Sequence, residues 1–137
     1  MRYLGLTWNN SNSIASSAKD EFENISVLKK VGLTDFGREV IRECNRLGVM
    51  IDISHAGENT FWDVIDLTSK PIIASHSSVH ALCPHYRNLK DEQITAIGEN
   101  GGVVFVNFYP GYIDSTYLDK AKLFHLHHQI LVSGQMI

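Results

Sequence analysis

Two histidines have the setting of a reactive site. "VMIDISHAG" places Val49, Ile51 and Ile53 on one side of an extended run that leads to Ser54-His55, and Gly57 then breaks the chain. "PIIASHSS" repeats the pattern, with Pro71 opening an apolar run that leads to Ser75-His76. Each imidazole therefore follows a serine at the carboxyl end of a strand, which is where ligands sit in α/β folds. Neighbouring strands lie about 4.8 Å apart, so imidazoles on successive strands stand side by side. That geometry suits neutral nitrogens sharing one divalent cation, with zinc–nitrogen bonds of about 2.0–2.1 Å. The plainer alternative is that each histidine hydrogen-bonds a strand end, and both readings stay open at this level.

The elements that must position them follow from periodicity. Residues 2–7 alternate as a strand, and the Asn- and Ser-rich "NNSNSIASSAKDEFEN" after it reads as a long loop because it has no apolar period. "GLTDFGREVIRECNRLG" reads as a helix with Thr34 as N-cap, an apolar face of Phe36, Val40, Ile41, Cys44 and Leu47, and Gly48 as its stop. "ENTFWDVIDLTS" is a second helix burying Phe61, Val64 and Ile65, and "KDEQITAIGENGG" a third with Ile94 and Ile97 inward. "GVVFVNFYPG" is a nearly continuous apolar strand ended by Pro110-Gly111, and a helix-like run around "YLDKAKLFHLHHQILV" closes the chain. Apolar strands alternating with amphipathic helices imply a parallel sheet covered by helices, either an open doubly wound sheet or a piece of a barrel. No dinucleotide-binding glycine pattern follows the first strand.

The bulk properties bound the function. At 137 residues the chain is a single domain, short for an α/β barrel of about 250 residues. A net charge of −3 gives no nucleic-acid footprint. No run approaches the roughly 18 apolar residues of a membrane segment, and "MRYLGLTWNN" lacks the apolar core of a signal peptide. Cys44 and Cys83 form no CxxC pair and read as free thiols, which places the protein in a reducing, cytoplasmic setting. A strand that begins almost at residue one resembles the interior of a domain.

"SHSSVHALCPHYRNLKDEQ" resembles the membrane dipeptidase (renal dipeptidase) family of zinc metallopeptidases. "GLTDFGREVIRECNRLGVMIDISH", "PIIASHSS" and "ENGGVVFVNFYPGYID" match the same family in order, so the likeness covers residues 2–114. It implies a (β/α)8 TIM-barrel fold with zinc ions at its carboxyl face, joined by a bridging carboxylate and a hydroxide that attacks the peptide bond of a dipeptide. It makes His55 and His76 the histidines of one zinc site and Arg87 the residue that holds the substrate carboxylate, a task suited to the fork of a guanidinium. Tyr112 corresponds to a tyrosine of the substrate pocket, and Tyr109 is a weaker candidate.

The family pattern is also incomplete. Relatives read Leu-Thr-His where this chain reads "LTW". Trp8 has one N–H donor and no titrating group, so it donates to substrate or lines the pocket. The family's His-x-Asp pair, bridging glutamate and last-strand aspartate have no counterpart here. The expectation is therefore one partial barrel domain, residues 1–137, holding about the fourth to seventh βα units, with the tail 115–137 unassigned. Such a chain carries at most one partial zinc position, no assigned catalytic residue and little dipeptidase activity alone. The alternative is a non-catalytic metal-binding module, or a half-barrel that self-associates through open sheet edges. His125, His127 and His128 read as a solvated helix face, His80 and His85 as loop residues, and Asp52 as a supporting or packing residue.

Overall fold

Helices separate four short strands that run parallel in the order β1-β2-β3-β4. The computed structural model describes residues 1–24, 31–117 and 119–120. Strand β1 is Tyr3–Gly5, β2 Met50–Asp52, β3 Ile73–Ser77 and β4 Val103–Val106. Helix α1 is Ala18–Phe22, α2 Asp35–Leu47, α3 Glu58–Leu67 and α4 Asp91–Glu99. A 3-10 turn, Pro110–Tyr112, follows β4. This is the parallel α/β arrangement expected of consecutive βα units, each strand returning beside the last through a helix. The helix-like tail and its His125, His127 and His128 lie outside the described residues. Among the described residues no helix is long and apolar enough to cross a membrane.

The helix ends obey their sequence signals. Thr34 Oγ1 accepts from Gly37 N at 2.9 Å, and Gly48 closes α2 at φ 68°. That left-handed turn carries no Cβ penalty in glycine. Asn100 ends α4, and its Oδ1 accepts from Ile72 N at 2.8 Å, which ties the helix to the start of β3. Leu6, Ile41, Ile51, Phe61, Val64, Ile72, Ala74 and Ile97 join in one core between the sheet and α2–α4.

Three sequence expectations need correction. The Asn- and Ser-rich stretch is not wholly loop, because it contains α1, capped by Ser17 Oγ accepting from Asp20 N at 3.1 Å. A helix of five residues is too short to show an apolar period, so the stretch reads as loop in sequence. The buried face of α2 is Gly37, Ile41 and Cys44 rather than one that includes Phe36 and Leu47, which are 56% and 58% exposed. Phe36 sits one residue, about 100°, off that line. Gly37 is drawn inward because a Cβ there would collide with the Ile14 carbonyl. Finally, β4 is apolar without being covered, since Val103, Phe105 and Val106 are all exposed at the sheet edge.

This distribution sets the stability consequences. Ile41→Ala removes a fully buried side chain and should cost about 2–5 kcal/mol. Phe36→Ala should change stability by no more than about 0.5 kcal/mol, as at other surface positions. Urea unfolding of the two variants measures the contrast, and equal losses would restore Phe36 to the core.

Candidate functional site

Strand β2 ends at Asp52, yet its carboxylate reaches across to β3. Asp52 Oδ1 accepts from Ser54 N and Ser75 N, each at 3.0 Å, and Oδ2 accepts from Ser75 Oγ at 2.5 Å. The side chain thereby organises both segments that carry the histidines. His55 lies three residues beyond β2 at φ 69°, a left-handed conformation uncommon outside glycine. Neighbouring hydrogen bonds hold it there: His55 O accepts from Ala18 N at 2.8 Å, and Gly57 N donates to Ser16 O at 3.0 Å. The N-terminus of α1 thus fixes the histidine turn, a role the loop reading could not supply.

His76 is aimed by a different device. Ala74 pairs with Val104 and Ser77 with Val106, so β3 accommodates one residue more than β4 across Ser75 and His76. Such a bulge bends a strand and re-aims a side chain. His76 N donates to Ser54 Oγ at 3.0 Å, and Ser75 Oγ lies 2.7 Å from His76 Nδ1. The two Nε2 atoms meet 3.0 Å apart, with ring centroids 5.0 Å apart and tilted by 58°.

Both imidazoles are held neutral. Burial lowers the His55 pKa to about 4, aided by the nearby Arg87 charge and His76, against a smaller opposing pull from Asp52. Burial, then Arg87, lowers His76 in the same direction, again opposed by Asp52. Neutral nitrogens are what a cation requires. Bonds of about 2.0–2.1 Å at a tetrahedral angle separate two nitrogens by about 3.3–3.4 Å, so the observed 3.0 Å has to open by only a few tenths of an ångström to take one ion between them. Among the described residues no group of three His, Cys, Asp or Glu converges as a complete ligand set.

Arg87 stands beside this pair, 4% exposed. Its Nη2 donates to His76 O at 3.2 Å, and its guanidinium lies 5.8 Å from the Tyr112 ring centroid. Among the described residues Nε has no hydrogen-bond partner, which leaves a buried donor unspent. His85 is more than a loop residue: Nδ1 accepts from Arg87 N at 3.1 Å, and its ring packs between Tyr86 and Tyr112. Asn88 Nδ2 donates at 2.8 Å to both Cys83 O and Tyr112 O, tying the arginine loop to the turn after β4. Tyr109 packs edge-on against Tyr112. Trp8 is 70% exposed, with its ring 6.3 Å from that of His55, and so stands at the rim. His55 and Arg87 share the wall of a cavity of about 990 Å³ with Phe22, Asn59 and Tyr86. His76, Tyr112 and Trp8 lie outside that wall.

The model of the membrane dipeptidase family, peptidase family M19, matches residues 1–135. The chain belongs to this family. It is 40% identical over 98% of its length to an uncharacterised dipeptidase of Schizosaccharomyces pombe, covering 32% of that protein. It is 34% identical over its whole length to dipeptidase aclJ of Aspergillus oryzae, covering 31% of it. Among solved structures, a Rhodobacter sphaeroides metallopeptidase liganded with a phosphinate mimic of L-Ala-D-Ala superposes at a TM-score of 0.72 with 34% identity, over 82% of this chain and 32% of that one. The probable dipeptidase PvdM of Pseudomonas aeruginosa superposes at 0.74 with 28% identity, over 93% of this chain and 33% of that one. The chain thus spans about a third of the length of these dipeptidase relatives.

Within this dipeptidase-family chain, the residues missed in sequence are Ser75, Ser54 and His85. The serine before each histidine was visible, but nothing in a linear pattern shows that Ser75 joins Asp52 to an imidazole. A direct check on the electrostatics is the imidazole titration of His55 in the chelator-treated chain. A midpoint near pH 4 is expected by NMR. The unfolded imidazole takes up its proton near pH 6.5, so the unfolded state binds more protons below that pH. Stability from this group is therefore fully present above about pH 6.5 and declines as pH falls toward 4. A midpoint at 6.5 would show that His55 is not desolvated.

Proposed function

We propose that this chain supplies one histidine pair and the carboxylate-binding arginine of a zinc-dependent dipeptide hydrolase. The observation that carries the reading is the 3.0 Å approach of the His55 and His76 Nε2 atoms beside the buried Arg87. A bound zinc ion would polarise the peptide carbonyl and lower the pKa of a water toward about 7. His55 and His76 hold that ion through Nε2. Arg87, with a spare Nε donor in a desolvated pocket, receives the free carboxylate of a dipeptide. Tyr112 faces the guanidinium and His85 braces the Arg87 backbone, and Trp8 borders the entrance, where it can donate one hydrogen bond but no titrating proton. The likeness to a relative solved with a mimic of L-Ala-D-Ala supports a small dipeptide as substrate.

Two imidazoles leave a four-coordinate zinc short of protein donors. The 137-residue chain should accordingly bind zinc weakly and turn over dipeptides slowly or not at all. Zinc titration by calorimetry should show binding in the wild type and at least a tenfold loss in His55→Ala and in His76→Ala. Identical binding by all three proteins would overturn the assignment.

A second reading, association between copies of this chain, is favoured by the sheet edge. Strand β4 has no outer neighbour among the described residues, and Phe105, Val106 and Phe108 are exposed along and just beyond it. Open apolar edges invite pairing. Sedimentation of the wild type should show species heavier than 15.4 kDa that dissociate in Phe105→Lys. A wild type that stays monomeric at high concentration removes this reading.

A further inference from the structure

The two histidines are not equivalent, because only His76 has its second ring nitrogen engaged. Ser75 Oγ sits 2.5 Å from Asp52 Oδ2 and 2.7 Å from His76 Nδ1. A hydroxyl has one hydrogen to give. Given to the carboxylate, it forms a charge-assisted bond, and 2.5 Å lies in the range of such O–H···O⁻ contacts, about 2.5–2.7 Å. Given instead to the imidazole, it would leave a serine lone pair facing a carboxylate oxygen. The competing hydroxyl, Ser54 Oγ, is 3.5 Å from Ser75 Oγ and already accepts the His76 N–H. Ser75 therefore points its hydrogen at Asp52 and its lone pair at His76, so His76 Nδ1 must carry a hydrogen and donate it. Its Nε2 is then a bare lone pair.

His55 has the opposite arrangement. Its Nδ1 is buried without a hydrogen-bond partner among the described residues, while its Nε2 lies 3.0 Å from the His76 Nε2. With a lone pair on the His76 side, that contact is a hydrogen bond only if the His55 Nε2 carries the hydrogen.

We propose that Asp52 and Ser75 are positioning residues that lock His76 in the Nδ1–H tautomer, leaving its Nε2 ready to ligate, while His55 starts as the Nε2–H tautomer and exchanges that proton when a cation arrives. The exchange would leave the ring neutral: on cation binding the Nε2 proton would pass to water, freeing the Nε2 lone pair to ligate, and Nδ1 would take up one proton in its place. The inference rests on the zinc reading above only for its second half, since the His76 tautomer is a property of the metal-free chain. Asp52 is 4% exposed, and its accepted bonds hold the β2 and β3 ends together, so it builds the pair geometrically as well as setting a tautomer.

The test is long-range ¹H–¹⁵N correlation NMR of the full ¹⁵N-labelled chain after chelator treatment, at neutral pH. The expected wild-type spectrum shows His76 as Nδ1–H and His55 as Nε2–H. Adding zinc should convert His55 to Nδ1–H and leave His76 unchanged. Ser75→Ala should mix the His76 tautomers and weaken zinc binding about 10- to 100-fold, the usual effect of losing the outer partner of a ligating histidine. Ser75→Thr, which keeps the hydroxyl, should restore both. His76 found as Nε2–H in the wild type, or an unchanged tautomer in Ser75→Ala, overturns the proposal. The wild-type spectrum decides by itself should a variant fail to fold. A wild type with the expected tautomers that binds no zinc supports the relay and overturns the zinc reading instead.

Discussion

The carboxylate of Asp52 is the interaction on which the rest of the site depends. It accepts backbone hydrogens from both sides of a strand pair and a hydroxyl hydrogen from one of them. A parallel pair has no turn to fix where its carboxyl ends lie, and β2 and β3 share a register only at Asp52 and Ile73. One buried side chain therefore supplies the alignment that a longer ladder would otherwise give. His55 and His76 each stand next to a serine that this carboxylate holds.

Around that anchor the chain departs from regular geometry where the site needs it. His55 takes a left-handed backbone that α1 and its flanks hold in place, and His76 sits in a bulge. Local strain of this kind costs about 1–3 kcal/mol and persists only when the surroundings over-determine it. Here they do: Ala18 N, Gly57 N and Ser54 Oγ each fix one side of the histidine segments. The arginine loop is braced in the same manner, by Asn88 across to the Tyr112 carbonyl and by the His85 ring. The apolar core runs up to the cavity, since Ile53 and Leu89 belong to the core and also line the wall that holds His55 and Arg87.

Membership of the membrane dipeptidase family is the setting in which these residues coincide. The chain spans about a third of the dipeptidases it resembles. Two imidazoles and a guanidinium lie side by side at the strand ends, and under the proposed zinc reading a tetrahedral ion asks for more donors than these. The side chains of β4 have the composition of a covered strand, yet Val103, Phe105 and Val106 are exposed.

The sequence by itself determined the alternation of strand and helix, the caps at Thr34 and Gly48 and the side-by-side placement of His55 and His76. These are legible because period, cap chemistry and residue type are local. It misplaced the α2 face and hid α1, because burial depends on what a helix packs against and five residues carry no period. Tertiary structure alone decided that Ser75 connects Asp52 to His76, that a bulge aims that histidine and that His85 braces Arg87. Those contacts join residues on different strands and loops, and no linear pattern states which oxygen will meet which nitrogen.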